Sequence, residues 1–153
     1  MEISDLITVD RIACHVSTSS KKRALEKLSE LISTSDSALS QNEVFESLVA
    51  REKLGSTGLG RGVAIPHGRF KASNKTLAAF VQLDQGVDFD SPDGEPVDLL
   101  CALLVPPEST EEHLQVLSSL TEMFRNNDFR QQLRDCDSPE AIFALLTNQS
   151  PAP

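Results

Sequence analysis

The chain contains neither tryptophan nor tyrosine, and only 14 of its 153 residues are lysine or arginine, against 23 aspartates and glutamates. Surfaces that bind nucleic acid rely on basic stripes and stacking aromatics, so a formal net charge of −9 argues against that class of partner. No run of 18 apolar residues occurs, so no membrane insertion is expected. At Met1-Glu2-Ile3-Ser4-Asp5 no basic segment precedes an apolar one, so no secretory signal is expected. The three cysteines, Cys14, Cys101 and Cys136, are odd in number and far apart. They fit neither a disulfide framework nor a zinc-ligand spacing, which points to a reducing, cytoplasmic setting and to no metal. The rest of the composition, 39% hydrophobic and 24% charged, is ordinary for a globular protein. A length of 153 residues predicts one domain, which buries roughly 68–70% of its unfolded surface and needs no staple.

Strand and helix signals alternate along the chain. Ile12-Ala13-Cys14-His15-Val16 reads as a short strand or an extended entry segment. Leu25, Leu28, Leu31 and Ile32 share one face of a helix over about 19–34, with Ser19 or Ser20 as its cap. Ser40-Gln41-Asn42-Glu43 is a capping-box pattern opening a helix over about 41–53. Leu77 to Leu83 has the character of a buried strand. Val97 to Val105 is a near-continuous apolar run, typical of a central strand covered on both faces. Ser109-Thr110-Glu111-Glu112 predicts a helix over about 110–125, followed by a shorter one over about 127–135. Ser138-Pro139-Glu140 caps a last helix through about Leu146. Asn148 to Pro153 reads as a flexible tail. The pattern predicts an α/β sandwich, a small sheet with helices on both sides.

The charge is unevenly distributed. Residues 51–75 carry six basic side chains and one acidic, a net of +5 inside an acidic chain. Such a window suggests a local anion site, with a solvated basic loop as the plain alternative. Within it, residues 55–62 hold four of the seven glycines and read as a loop, followed by Val63-Ala64-Ile65 and a turn at Pro66-His67-Gly68. The loop is not a phosphate-binding P-loop, because Arg61-Gly62 stands where lysine and a hydroxyl residue are required. Position 63 is valine and the preceding element is helical, so a dinucleotide fingerprint fails too. Gly55-Ser56-Thr57-Gly58 is not a nucleophile elbow. His67 remains as the chemically competent group. Imidazole attacks phosphorus near neutral pH, and the glycines and cations around it suit the charge a phosphoryl group brings.

The segment Arg51-Glu52-Lys53-Leu54-Gly55-Ser56-Thr57-Gly58-Leu59-Gly60-Arg61-Gly62-Val63-Ala64-Ile65-Pro66-His67-Gly68-Arg69 resembles the active-site signature of the enzyme IIA proteins of the bacterial phosphotransferase system. The likeness is to the mannitol, fructose and nitrogen-regulatory group, and the Arg-Glu-Lys-Leu-Gly-Ser-Thr-Gly opening looks most like the nitrogen-regulatory members. Similar patterns continue through Pro96-Val97-Asp98-Leu99-Leu100 and Leu103-Leu104-Val105-Pro106 to the helix holding His113. The resemblance implies an enzyme IIA-like domain over 1–147, with a mixed five-stranded sheet flanked by helices on both sides, and a flexible tail at 148–153. It implies that His67 is phosphorylated through Nε2, that Arg51 stabilises the phosphoryl group, and that His113 supports the site. Read without it, Arg51 also suits the carbonyls at its helix end, and His113 also suits core packing. His15 matches nothing in the signature and reads as a solvated or capping residue.

The implied activity is a phosphotransferase component with a phosphohistidine intermediate, no cofactor and no small-molecule turnover. A phosphorylated histidine phosphocarrier protein is the expected donor, with Arg51 and loop amides neutralising charge. The acidic surface would steer a basic donor face, and Leu59, Val63 and Phe70 are candidates for either its contact centre or the core. Target proteins such as potassium-transporter or sensor-kinase components are the expected output. Three alternatives stay open: a sugar-transport enzyme IIA passing phosphate to a IIB protein, an interaction module without transfer, and a hydrolase using Ser56 or Thr57 with His67.

Overall fold

The computed structural model describes residues 2–148 apart from Ser35, Ser37, 72–74 and 109–110, and only the backbone of Glu112 and His113. The strands are β1 (Ile12–Val16), β2 (Gly58–Gly60), β3 (Val63–Ala64), β4 (His67–Arg69), β5 (Leu77–Val87) and β6 (Val97–Val105). The helices are α1 (Lys21–Thr34), α2 (Gln41–Glu52), α3 (Glu111–Phe124), α4 (Asn127–Arg134) and α5 (Pro139–Thr147). Their starts follow the capping chemistry of the sequence. Ser40 Oγ accepts from the Glu43 N–H, Asn126 Oδ1 from the Phe129 N–H, and Ser138 Oγ from the Ala141 N–H, with Pro139 leading α5. The cap expected at Ser109 lies outside the described residues, as does the expected tail beyond Asn148.

The sheet is mixed and runs β1-β5-β6-β3-β2, with β4 also on β6. β5 and β6 pair antiparallel at its centre, while β1 on β5 and both β3 and β4 on β6 are parallel. Residues alternate between two cores. Leu77, Ala79, Val81, Leu100, Ala102 and Leu104 face the layer of α1 and α2. Ala78, Phe80, Leu99, Cys101, Leu103 and Val105 face α3, α4 and α5. With both faces covered, the apolar run of β6 has no polar side to show. In α2, Val44 and Leu48 are fully buried, each contributing about 1.5–3 kcal/mol by leaving water.

Two segments differ from the sequence expectation, and among the described residues the sheet has six strands where the resemblance implied five. The glycine segment expected to be loop contains β2, which pairs antiparallel with β3. The hairpin between them places Gly60, Arg61 and Gly62 at φ of 88°, 58° and 84°, a run that only glycine adopts freely. The turn expected at Pro66-His67-Gly68 is strand β4. β6 supplies its ladder, with His67 in register with Leu103 and Arg69 with Val105. Pro66 has no N–H to give and interrupts the edge between β3 and β4, but its carbonyl still accepts from the Leu103 N–H at 2.8 Å.

Candidate functional site

His67 is the first residue of β4, half-buried on an edge strand. Its Nδ1 lies 3.0 Å from the Ile65 carbonyl oxygen. A carbonyl only accepts, so Nδ1 carries the ring proton and the lone pair of the neutral imidazole is on Nε2. Ile65 is itself fixed, because its N–H donates to the Thr57 carbonyl at 3.1 Å. Thr57 in turn donates its N–H and its hydroxyl to the buried carboxylate of Glu52 at the end of α2. A chain of hydrogen bonds thus runs from α2 through the glycine segment to the tautomer of His67.

An open cleft of about 770 Å³ brings His67 together with one face of α2, the strand β4 and the start of α3. Arg51, the residue to which the resemblance gives phosphoryl stabilisation, lines it, and its Nη1 donates to the Gly55 carbonyl at 2.9 Å. The helix-end pairing and a place in the cleft are therefore both true of Arg51. A guanidinium has five N–H donors, and this carbonyl takes one. Arg69 brings a second guanidinium to the same cleft, two residues after His67 on the same strand face, with Nη1 donating to the Pro107 carbonyl at 2.9 Å. Sequence reasoning missed it, although the i, i+2 spacing from His67 is a readable signal. Glu43 and Glu46 add carboxylates along α2. His113 lies on α3, whose Leu114 and Leu117 line the cleft, but its side chain is outside the described residues.

Several expectations need correction. The basic window is not one anion site. Arg51 and Arg69 line the cleft, whereas Arg61 sits on the β2–β3 hairpin beside Asp93, Asp98 and Arg134 in a separate depression. The glycine segment 55–62 is not among the described residues lining the His67 cleft, and its described link to His67 runs from Thr57 to Ile65. Leu59 is exposed but away from the cleft, and Val63 is core. Of the three proposed contact residues only Phe70 lines the cleft. The strongly exposed apolar side chains there are Leu54, 84% exposed, and Leu114, 66% exposed. His15 is not simply solvated, since each of its ring nitrogens meets a carboxylate. Cys14 is half-buried and Cys101 and Cys136 are buried; complete burial pushes the Cys101 thiol up to about 12. Among the described residues, no helix is long and apolar enough to cross a membrane and no cluster of three or more His, Cys, Asp or Glu is placed to hold a metal.

Residues 5–149 match the family described as "Phosphoenolpyruvate-dependent sugar phosphotransferase system, EIIA 2". A nitrogen regulatory protein of Pseudomonas aeruginosa is 41% identical over 148 residues, covering 97% of this chain and 96% of that one. The crystal structure of nitrogen regulatory protein IIA-Ntr from Neisseria meningitidis superposes with a TM-score of 0.89 at 44% identity, over 95% of this chain and 99% of that one. The IIA–IIB mannitol complex from Escherichia coli, with its IIB phosphorylated, shares the fold at a TM-score of 0.77 and 24% identity, over 94% of this chain and 100% of that one. The family model and these relatives place the chain in the enzyme IIA family of the phosphotransferase system, with the nitrogen regulatory proteins among its relatives.

Proposed function

We propose that this chain is a regulatory phosphocarrier of the nitrogen-related phosphotransferase system, accepting a phosphoryl group on His67 Nε2 from a phosphorylated histidine phosphocarrier protein. The observation that carries the reading is the Nδ1 contact to the Ile65 carbonyl, which leaves Nε2 as the basic nitrogen of the ring. In the transfer, the Nε2 lone pair forms the new P–N bond as the donor's P–N bond breaks, and that electron pair returns to the donor ring. The His67 ring gains positive charge while Nδ1 keeps its proton, and the Ile65 carbonyl stabilises it there. Arg51 offsets charge on the phosphoryl oxygens, and His113 supports the site from α3. Such a step is positioning and electrostatics. The phosphoryl group carries about two negative charges beside Leu54 and Leu114, partly offset by the positive ring, enough to strengthen or weaken a contact with a target protein such as a potassium-transporter or sensor-kinase component.

The test is transfer of labelled phosphate from the phosphorylated donor. Wild type takes up label and His67→Ala does not; equal labelling of both removes His67 from the mechanism. Arg51→Ala folds but is labelled more slowly or loses its phosphate sooner, and an unchanged rate and lifetime would refute its role. A second reading, a sugar-transport enzyme IIA, is favoured by the fold shared with the mannitol protein solved with phosphorylated IIB. Rapid loss of label to an added IIB protein would select it.

A further inference from the structure

Glu43, Ser47 and Arg51 are four residues apart on α2, so they stack along one face, and all three line the cleft. Ser47 is the point at which that face meets β4. Its Oγ donates to the Arg69 carbonyl at 2.9 Å. The approach is close because residue 68 has no side chain: a Cβ on Gly68 would stand 2.6 Å from Ser47 Oγ and 3.2 Å from the Ser47 carbonyl oxygen. β4 has three residues, and its strand pairing is with β6. The Ser47 hydroxyl therefore ties the strand that carries His67 to the helix that carries Arg51, one helical turn before the guanidinium and two residues past the imidazole.

From this geometry we infer that Ser47 is a positioning residue for phosphoryl transfer, holding α2 against β4 so that Arg51 and His67 address the same phosphorus. The inference rests on the phosphocarrier reading and deepens it. In this role Ser47 works through Arg51. In its absence the Arg69 carbonyl loses this partner, and α2 and β4 are free to shift against each other at the cleft. A displacement on the ångström scale is costly for a reaction that depends on alignment.

The experiment measures transfer from the phosphorylated histidine phosphocarrier protein to wild type, S47A and S47T, each with and without R51A, alongside thermal unfolding. S47A is expected to lower the rate at saturating donor by roughly tenfold, less than the roughly hundredfold that a full ångström of misplacement can cost. The donor concentration at half-saturation stays within about twofold, as expected when only the transition-state geometry is lost. S47T, which keeps the hydroxyl, restores the rate. In the R51A background S47A adds no further loss, because the residue through which it acts is gone. A wild-type rate for S47A, the same fold loss with and without Arg51, a loss that S47T does not rescue, or failure of S47A to fold each overturns the inference. If wild type takes no label, or His67→Ala labels like wild type, the phosphocarrier reading itself has failed and the inference falls with it.

Discussion

His67 donates from Nδ1 to a carbonyl, whereas His15 meets a carboxylate oxygen at both ring nitrogens, Asp84 at 3.0 Å on Nδ1 and Asp137 at 3.0 Å on Nε2. Two acceptors favour the doubly protonated ring. The hydrogen bond to Asp84, then that to Asp137, hold the His15 pKa above its ordinary value, against a small opposing effect of burial. The backbone takes part, because the β1 register shifts between Ala13 and Val16 and His15 has a φ of 52°. The raised folded-state value fixes the sign of the pH dependence. Stabilisation by His15 is fully present below the unfolded value of about 6.5 and is lost as pH rises through the higher folded value. The gap in melting temperature between wild type and His15→Gln should therefore be widest near about pH 5.5 and shrink towards about pH 9. A gap that stays constant across that range would rule out the charged bridge. Nothing around His15 in the sequence signals this, since Asp137 is 122 residues away. His67 was legible because its chemistry is spelled out by immediate neighbours.

Glu52 shows the same contrast for elements. It ends α2, accepts from Lys21 Nζ at 2.9 Å at the start of α1, and receives Thr57 at the entrance to β2. Its side chain is 4% exposed. Removing the carboxylate strips the buried Thr57 N–H and hydroxyl of their acceptor and leaves Lys21 with the looser Asp90 contact at 3.7 Å, so Glu52→Ala should lower unfolding stability by about 2 kcal/mol. Glu52→Gln should lose less, because its amide oxygen still accepts from Thr57. Chemical denaturation checks both, and equal losses would show that Lys21, not Thr57, is the partner that matters. The five helices were legible because apolar periodicity and caps lie within a few residues of each other. β2 and β4 were not, because each has three residues, too few for an alternating pattern, and glycine occupies half of those positions. A strand that short exists only because a neighbour supplies its ladder.

At the scale of the whole molecule, two helical layers enclose the sheet, and the cleft opens where the edge strand β4 meets α2 and α3. The chain as a whole carries a net charge of −9, a long-range negative field despite the local +5 of residues 51–75. A basic donor would be steered by that field, and the second-order transfer rate should fall as salt shortens the screening length from about 30 Å at 0.01 M to about 10 Å at 0.1 M. A rate independent of salt would remove steering from the account. The sequence by itself determined the α/β class, the helices, the central strand and the glycine-rich, basic setting of His67, because caps, periodicity and composition are local properties of the chain. Only the tertiary structure decided that β4 pairs with β6 at His67, and that Arg69 joins Arg51 in the cleft while Arg61 is carried away. Those outcomes depend on which distant segments share the β6 edge, and contacts between distant segments form only when the sheet closes.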